Sequence, residues 1–418
     1  MSSLNKIEGL EAILANKLPL NTKILKYEIQ LLTKPGDNYG SEMLSLTLDL
    51  QYSNGTVKNL NLVAKRPPKN EQLLSIFQTS RTFIKENCFY TVIIPKIYDF
   101  EREVGVPEDE KLKIFCDCYG ARISLSTESN EVDQDAMLLL ENLKPKQFRT
   151  GNRLQGFDTE HSKLILKGLA QFHATTLALK LIKPNTFKDF LIPYIDKIDI
   201  DAGMTEDGRE KMIDSIKDDV KKVCPLSMVK HRLIDQIKRC IKRQKKLSYS
   251  KDHPFVTAIH NDFWVNNIMI GYEEKDTEIE RPISLKILDF QLVSCDSVVH
   301  DVLFFILTSM KDGCFESFMD MWLKYYHEQL INRLHLLKCP LQAFTYEKFM
   351  SEVYRCAPWE FYHIVSMLKV VFARQDVLPE SLDALNDEIF GDSKLVGAEY
   401  YQRLQKVVQI YIDKHWVI

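Results

Sequence analysis

His260-Asn261-Asp262-Phe263-Trp264-Val265-Asn266-Asn267, followed downstream by Leu285-Lys286-Ile287-Leu288-Asp289-Phe290-Gln291, is the stretch whose reading decides the fold of this chain. Asp262 and Asn267 have the H-x-D-x-x-x-x-N spacing of a phosphotransferase catalytic loop, and Asp289 ends an apolar, strand-like run. Phosphoryl transfer asks little covalent work of a protein. It needs an in-line nucleophile, neutralised phosphate charge and an acceptor for the leaving proton. Asp262 suits the last task. Asn267 and Asp289 offer one neutral and one anionic oxygen to Mg2+, which takes few protein oxygens and completes its octahedron with phosphate oxygens and water. Taken singly, His260 and Asp262 could form only a loop hydrogen bond and Asp289 could cap a turn. Their order and the flanking strand pattern favour a catalytic site with ATP and Mg2+ as cofactors.

Upstream, Leu60-Asn61-Leu62-Val63-Ala64-Lys65 has the pattern of a strand ending in a lysine, which would present Lys65 to the α and β phosphates. Phe83-Ile84-Lys85-Glu86-Asn87-Cys88-Phe89-Tyr90 places apolar side chains at helical spacing, with Glu86 as the lysine's counter-ion. Gly36-Asp37-Asn38-Tyr39-Gly40-Ser41 lies between two strand-like segments, 24–32 and 44–52. It fits a phosphate-covering loop, in which glycines let N–H groups close on phosphate, and equally an ordinary hairpin turn. Met137-Leu138-Leu139-Leu140-Glu141-Asn142-Leu143 is a buried strand running into a linker. The backbone C=O of Glu141 and N–H of Leu143 are its candidate contacts to adenine.

With these residues in place, the chain resembles the insect ecdysteroid kinase-like (CHK kinase-like) family, related to choline kinases and aminoglycoside phosphotransferases. The similarity runs through residues 36–41, Val63-Ala64-Lys65, the Phe83, Glu86, Phe89, Tyr90 and Pro95 pattern, and residues 140–143. It continues through Leu169-Ala170-Gln171-Phe172-His173-Ala174, residues 262–267, Asp289-Phe290-Gln291, and Asp301-Val302-Leu303-Phe304-Phe305 with Thr308-Ser309. The resemblance implies an α+β, two-lobed protein-kinase-like fold and transfer of the γ-phosphate of ATP to a hydroxyl of an ecdysteroid or other lipophilic alcohol. It also implies that Asp301 braces the catalytic loop. Two alternatives stay open, a choline- or ethanolamine-type kinase and an inactive, nucleotide-binding pseudokinase. The intact set Lys65, Glu86, Asp262, Asn267 and Asp289 weighs against the second. Gln291 stands where protein kinases carry glycine, in agreement with the ecdysteroid kinase-like pattern. Asn261 stands where the family carries glycine, and asparagine tolerates left-handed backbone better than most residues.

Composition fits this frame. A chain of 418 residues with 45% hydrophobic content can fill two lobes. A formal charge of -3 gives no global field for nucleic acid or anionic membrane. The amino-terminal residues lack an apolar signal core, and no apolar run approaches membrane-spanning length. The 9 cysteines are odd in number and scattered, which suggests free thiols in a reducing compartment. The expectation is a cytoplasmic protein with a small-molecule partner and no nucleic acid.

Strand-like alternation dominates up to Leu143 and helical periodicity follows, which divides the chain into a nucleotide-binding lobe, 1–143, and a helical lobe, 144–418, carrying the catalytic loop and acceptor pocket. Two or three strands are expected in 20–64, a helix in 71–91, and two strands in 112–124 and 136–140. The charged stretches 101–113 and 126–135 have the composition of exposed loops. A helix over 159–181 would bury His173 as a satisfied core histidine. The basic segment 227–247 keeps an apolar stripe at Val229, Leu233, Ile237 and Ile241, so its charges belong to a solvated helix face. Aromatics cluster after residue 311, most of them as core, and Trp264 is the candidate wall beside the acceptor hydroxyl.

Overall fold

The computed structural model describes residues 6–32, 40–199, 203–244, 253–273, 281–378, 389 and 391–418. The chain begins with a sheet because its apolar residues alternate. In β2 (Glu42–Gln51), Leu44, Leu46, Leu48 and Leu50 are all buried on one face. β2 pairs antiparallel with β1 (Lys23–Leu31) and β3 (Val57–Arg66). β4 (Cys118–Arg122) and β5 (Met137–Glu141) complete a five-stranded sheet of order β1-β2-β3-β5-β4. The alternation in β5 serves two cores at once. Met137 and Leu139 join the small core under α1 (Leu10–Leu14), while Leu138 and Leu140 join the main core. α1 docks closely over β4, where a Cβ on Gly120 would lie 2.3 Å from the carbonyl oxygen of Ile13.

Three helical segments follow β3: α2 (Glu71–Ile76), capped by the Asn70 side chain, α3 (Thr79–Cys88) and α4 (Ile94–Val104). A single π turn, Phe89–Ile93, joins α3 to α4. Pro95 explains it. Proline has no N–H to donate and its ring crowds the carbonyl four residues back, and a wider turn relieves the clash. The helix therefore runs past the expected end at residue 91, and the stretch 101–113 is not simply an exposed loop. Glu101 is fully buried in an ion pair with Arg333, and Leu112 is buried beside it.

The remainder is mainly helical. α5 (Thr159–Ile182) begins at Asp158, whose carboxylate accepts from the N–H of His161. α6 (Glu206–Val223), α7 (Ser227–Gln244), α8 (Val299–Ser309), α9 (Met319–Leu336), α10 (Tyr346–Val371) and α11 (Ala398–Asp413) pack around one large core. α8 is buried on every side, as its uninterrupted apolar sequence requires. Two small antiparallel ladders carry the loops of interest: β7 (Val256–Ile259) with β10 (Ser294–Ser297), and β6 (Arg149–Thr150) with β8 (Ile268–Tyr272) and β9 (Pro282–Ile287).

The basic helix α7 buries Leu233 and Ile237 as expected, but part of its charge is used internally. Arg232 donates to the carbonyl of Val417 at 2.6 Å, and Arg243 lies 3.9 Å from the ring of Trp359. Lys245 and Lys246 lie outside the described residues. All 9 cysteines are free thiols. No helix among the described residues is long and apolar enough to cross a membrane.

Candidate active site

Strand alternation sets the first catalytic candidate. Leu62 and Ala64 point into the small core, so Val63 and Lys65 face the opposite side and line a cavity between sheet and helices. Lys65 Nζ lies 2.5 Å from Glu86 Oε2 on α3 and 2.8 Å from Asp289 Oδ1. Burial alone would lower the pKa of this ammonium. The two carboxylates, Asp289 first, outweigh burial and hold it above its ordinary value.

The segment after β7 forms the loop. Its backbone is gripped by Asp301 at the start of α8, whose oxygens accept from the N–H of His260 at 2.7 Å and of Asn261 at 2.8 Å. His173 Nε2 meets the same carboxylate at 3.0 Å, and its Nδ1 meets the hydroxyl of Tyr326 at 2.7 Å. Burial would raise the Asp301 carboxyl, but His173 and the loop N–H of His260 hold it below its ordinary range and keep it anionic. His173 is thus a buried, fully partnered histidine, and Asp301 a brace for the loop. His260 Nε2–H donates to the carbonyl of Leu288 at 2.8 Å, which ties the loop to the residue before Asp289. Burial keeps that imidazole neutral.

Asn261 and Asp289 both sit in left-handed backbone, with φ of 63° and 62°. Each is the kind of short polar residue that accepts this conformation. Asn267 Nδ2 donates to the carbonyl oxygen and to Oδ2 of Asp262, both at 2.9 Å. Among the described residues its Oδ1 has no hydrogen-bond donor, and Asp289 Oδ2 likewise remains open. Burial, and then the charge of Asp289, push the Asp262 carboxyl well above its ordinary range, against hydrogen bonds from Asn267 and Trp264. Phe290 stacks on Phe89 with ring centroids 3.8 Å apart, so the residue after Asp289 is wedged under the helix that carries Glu86.

Lys65, Glu86, Asp262, Asn267, Asp289, Gly40, Glu141 and Leu143 all line one cavity of about 1320 Å3. Ser41, next to Gly40, is buried with an unpartnered Oγ and is not part of the lining. Gly36, Asn38 and Tyr39 lie outside the described residues. Single-ligand pockets span roughly 300–1,000 Å3, so this cavity has room for two molecules side by side.

A family profile, the ecdysteroid kinase-like family, matches residues 35–339. The chain belongs to that family. No curated protein matches it at a significant level. The ecdysteroid kinase-like match includes Lys65, Glu86, Asp262, Asn267 and Asp289 and stops before α10. α10 supplies much of the far wall, including Trp359, Tyr362 and Met367. Of the later aromatics, Trp359 and Tyr362 line the cavity, as does Trp264, while Phe361 and Trp322 are core and Tyr354 faces solvent. One cluster at this end was missed by sequence reasoning: His300, Glu360 and His363. Its only signal was the i, i+3 spacing of Glu360 and His363, since His300 arrives from a distant helix.

Proposed function

We propose that the protein is an ATP- and Mg2+-dependent kinase that transfers the γ-phosphate to a hydroxyl of a neutral, lipophilic small molecule such as an ecdysteroid. The observation that carries this is the joint engagement of Lys65 by Glu86 and Asp289, with Asp262 and Asn267 hydrogen-bonded to each other on the wall of the same cavity.

In this reading residues 1–143 hold the nucleotide and residues 144–418 the acceptor. Lys65 binds phosphate oxygens, fixed in direction by Glu86. The linker at Glu141 and Leu143 receives adenine, and the loop 36–41, with Asn38 and Tyr39, covers the phosphates. The donor set suits magnesium, one carboxylate at Asp289 and one amide oxygen at Asn267, each with an open oxygen. When bound, that ion neutralises phosphate charge. Asp262 orients the acceptor hydroxyl and takes its proton. The apolar wall of Trp264, Trp359, Tyr362 and Met367 favours a neutral skeleton, because burying apolar area stabilises by about 25 cal/mol per Å2 and an unpaired buried charge is costly.

The test is incubation of the purified chain with ATP, Mg2+ and a panel of steroid alcohols, phenols, choline, ethanolamine and an aminoglycoside at equal concentration, with mass detection of phosphate adducts. Phosphorylation of a neutral alcohol is expected. Preferential phosphorylation of choline would reject the acceptor class, and no adduct with any acceptor would reject the kinase reading.

A further inference from the structure

The acceptor end of the cavity holds an arrangement that phosphoryl transfer does not use. Glu360, on α10, is buried, and each of its oxygens meets an imidazole. Oε2 meets Nδ1 of His300 from α8, and Oε1 meets Nδ1 of His363, one turn further along α10, at 2.5 Å. His300 Nε2 lies 3.5 Å from Asp296, which in turn lies 3.4 Å from Lys197. Burial opposes ionisation of Glu360, but His363 and His300 outweigh it and hold the carboxyl down at about 2. The carboxylate is therefore a fixed anchor for both rings.

The two histidines differ in access. His363 lines the cavity with its side chain 30% exposed, and its ring stacks on Phe304 with centroids 4.3 Å apart. Among the described residues its Nε2 has no hydrogen-bond partner. An imidazole that donates Nδ1–H to a carboxylate presents a lone pair at Nε2 while neutral, in one tautomer and one orientation. A hydroxyl both donates and accepts, so it meets Nε2 as donor to the neutral ring and as acceptor from the protonated one. The features a quaternary ammonium would use here are already taken: both Glu360 oxygens face imidazoles, and the guanidinium of Arg243 covers the Trp359 ring.

We propose that Nε2 of His363 hydrogen-bonds a second hydroxyl of the acceptor, remote from the one that Asp262 serves. The preferred substrates are then apolar skeletons bearing hydroxyls at two separated positions, and His363 is the specificity-determining residue. This rests on the kinase reading above and narrows its acceptor class. The placement agrees with a selective role, because Glu360 and His363 lie beyond residue 339, where the family match ends, while the transfer chemistry lies within it.

The experiment compares two sterols, one with hydroxyls on both the ring system and the side chain and one with the ring hydroxyl alone. The wild-type chain should favour the diol in kcat/KM by about tenfold, the size expected of one hydrogen bond in a site that must otherwise leave its acceptor unpaired. His363→Phe, which keeps a ring over Phe304 and removes Nε2, should bring that ratio close to one through a higher KM for the diol. His363→Gln, with an acceptor oxygen, should recover part of it. An unchanged ratio in His363→Phe, or no preference in the wild type, overturns the proposal. Calorimetric binding of both sterols separates it from the kinase reading. If neither sterol is phosphorylated the steroid acceptor fails while the kinase reading rests on the wider panel, and the binding data still decide this one: a diol preference lost in His363→Phe supports it, and equal or absent binding overturns it.

Discussion

Asp301 accepts a hydrogen bond from the backbone N–H of Asn261, and Asn261 is the loop residue held at a φ of 63°. The carboxylate thus fixes a left-handed turn immediately before Asp262. Asn261→Gly should leave loop geometry and turnover close to wild type, since glycine adopts this conformation without strain. Asn261→Val should destabilise by about 1–3 kcal/mol and lower kcat, because a β-branched residue resists positive φ. Thermal melts and steady-state rates on both variants check this, and a valine variant equal to wild type would contradict it.

Asp262→Asn keeps the shape of the loop but removes the proton acceptor. Turnover should fall roughly a hundredfold or more, the usual size of general-base effects. ATP affinity, read by nucleotide-induced thermal shift, should survive. Near wild-type phosphotransfer would show that Asp262 has another role.

Asp289→Ala acts on binding. It removes the anionic oxygen assigned to the metal and one of the two counter-ions of Lys65. Mg2+-dependent thermal stabilisation by ATP should be largely lost in the variant and retained in Asp262→Asn. Equal stabilisation in the two variants would dissociate Asp289 from the nucleotide.

Arg333→Ala leaves Glu101 charged and buried without its partner, for a loss of about 3–5 kcal/mol in urea unfolding. A double replacement by leucine at 101 and 333 removes both charges and should be much closer to wild type. The comparison isolates the unpaired charge from lost packing.

His327 supplies a pH dependence. Burial holds its imidazole below the ordinary range, and Nε2 meets the carbonyl of Phe344 at 2.7 Å. The unfolded chain takes up this proton near pH 6.5, and the folded chain only at lower pH. The stability that comes from a neutral His327 is therefore complete above about pH 6.5 and is lost as pH falls through the lower folded value, at up to about 1.4 kcal/mol per pH unit. His327→Gln should flatten the stability curve below that point. Parallel curves for variant and wild type would reject the assignment.

The cluster of Lys65, Glu86, Asp262, Asn267 and Asp289 was legible in the sequence because each of its parts is local. The alternation that aims Lys65, the helical spacing of Glu86 and the loop from His260 to Asn267 each lie within a few residues, and their order along the chain stood in for their convergence. Burial of Glu101 was not legible. Its partner Arg333 lies on a distant helix, and the run of charges around Glu101 imitates a loop. The same holds for His300 and Glu360, brought together only when α8 packs against α10. The π turn depends on Pro95, a residue noted as part of a pattern and not as a source of strain.

The helical run that carries Glu86, from α3 through the π turn into α4, is fastened at several points. Gln78 donates to the carbonyl of Asp199 at 2.5 Å, Arg81 and Lys85 both meet Asp196, and Glu101 meets Arg333. Swinging that helix outward would separate at least the buried pair, at about 3–5 kcal/mol. At 1.4 kcal/mol per decade, the displaced arrangement would occupy fewer than roughly one molecule in a hundred. Lys65 is therefore held ready in the resting population, and a displaced-helix off state would have to be brought about by something able to compensate Arg333 for its carboxylate.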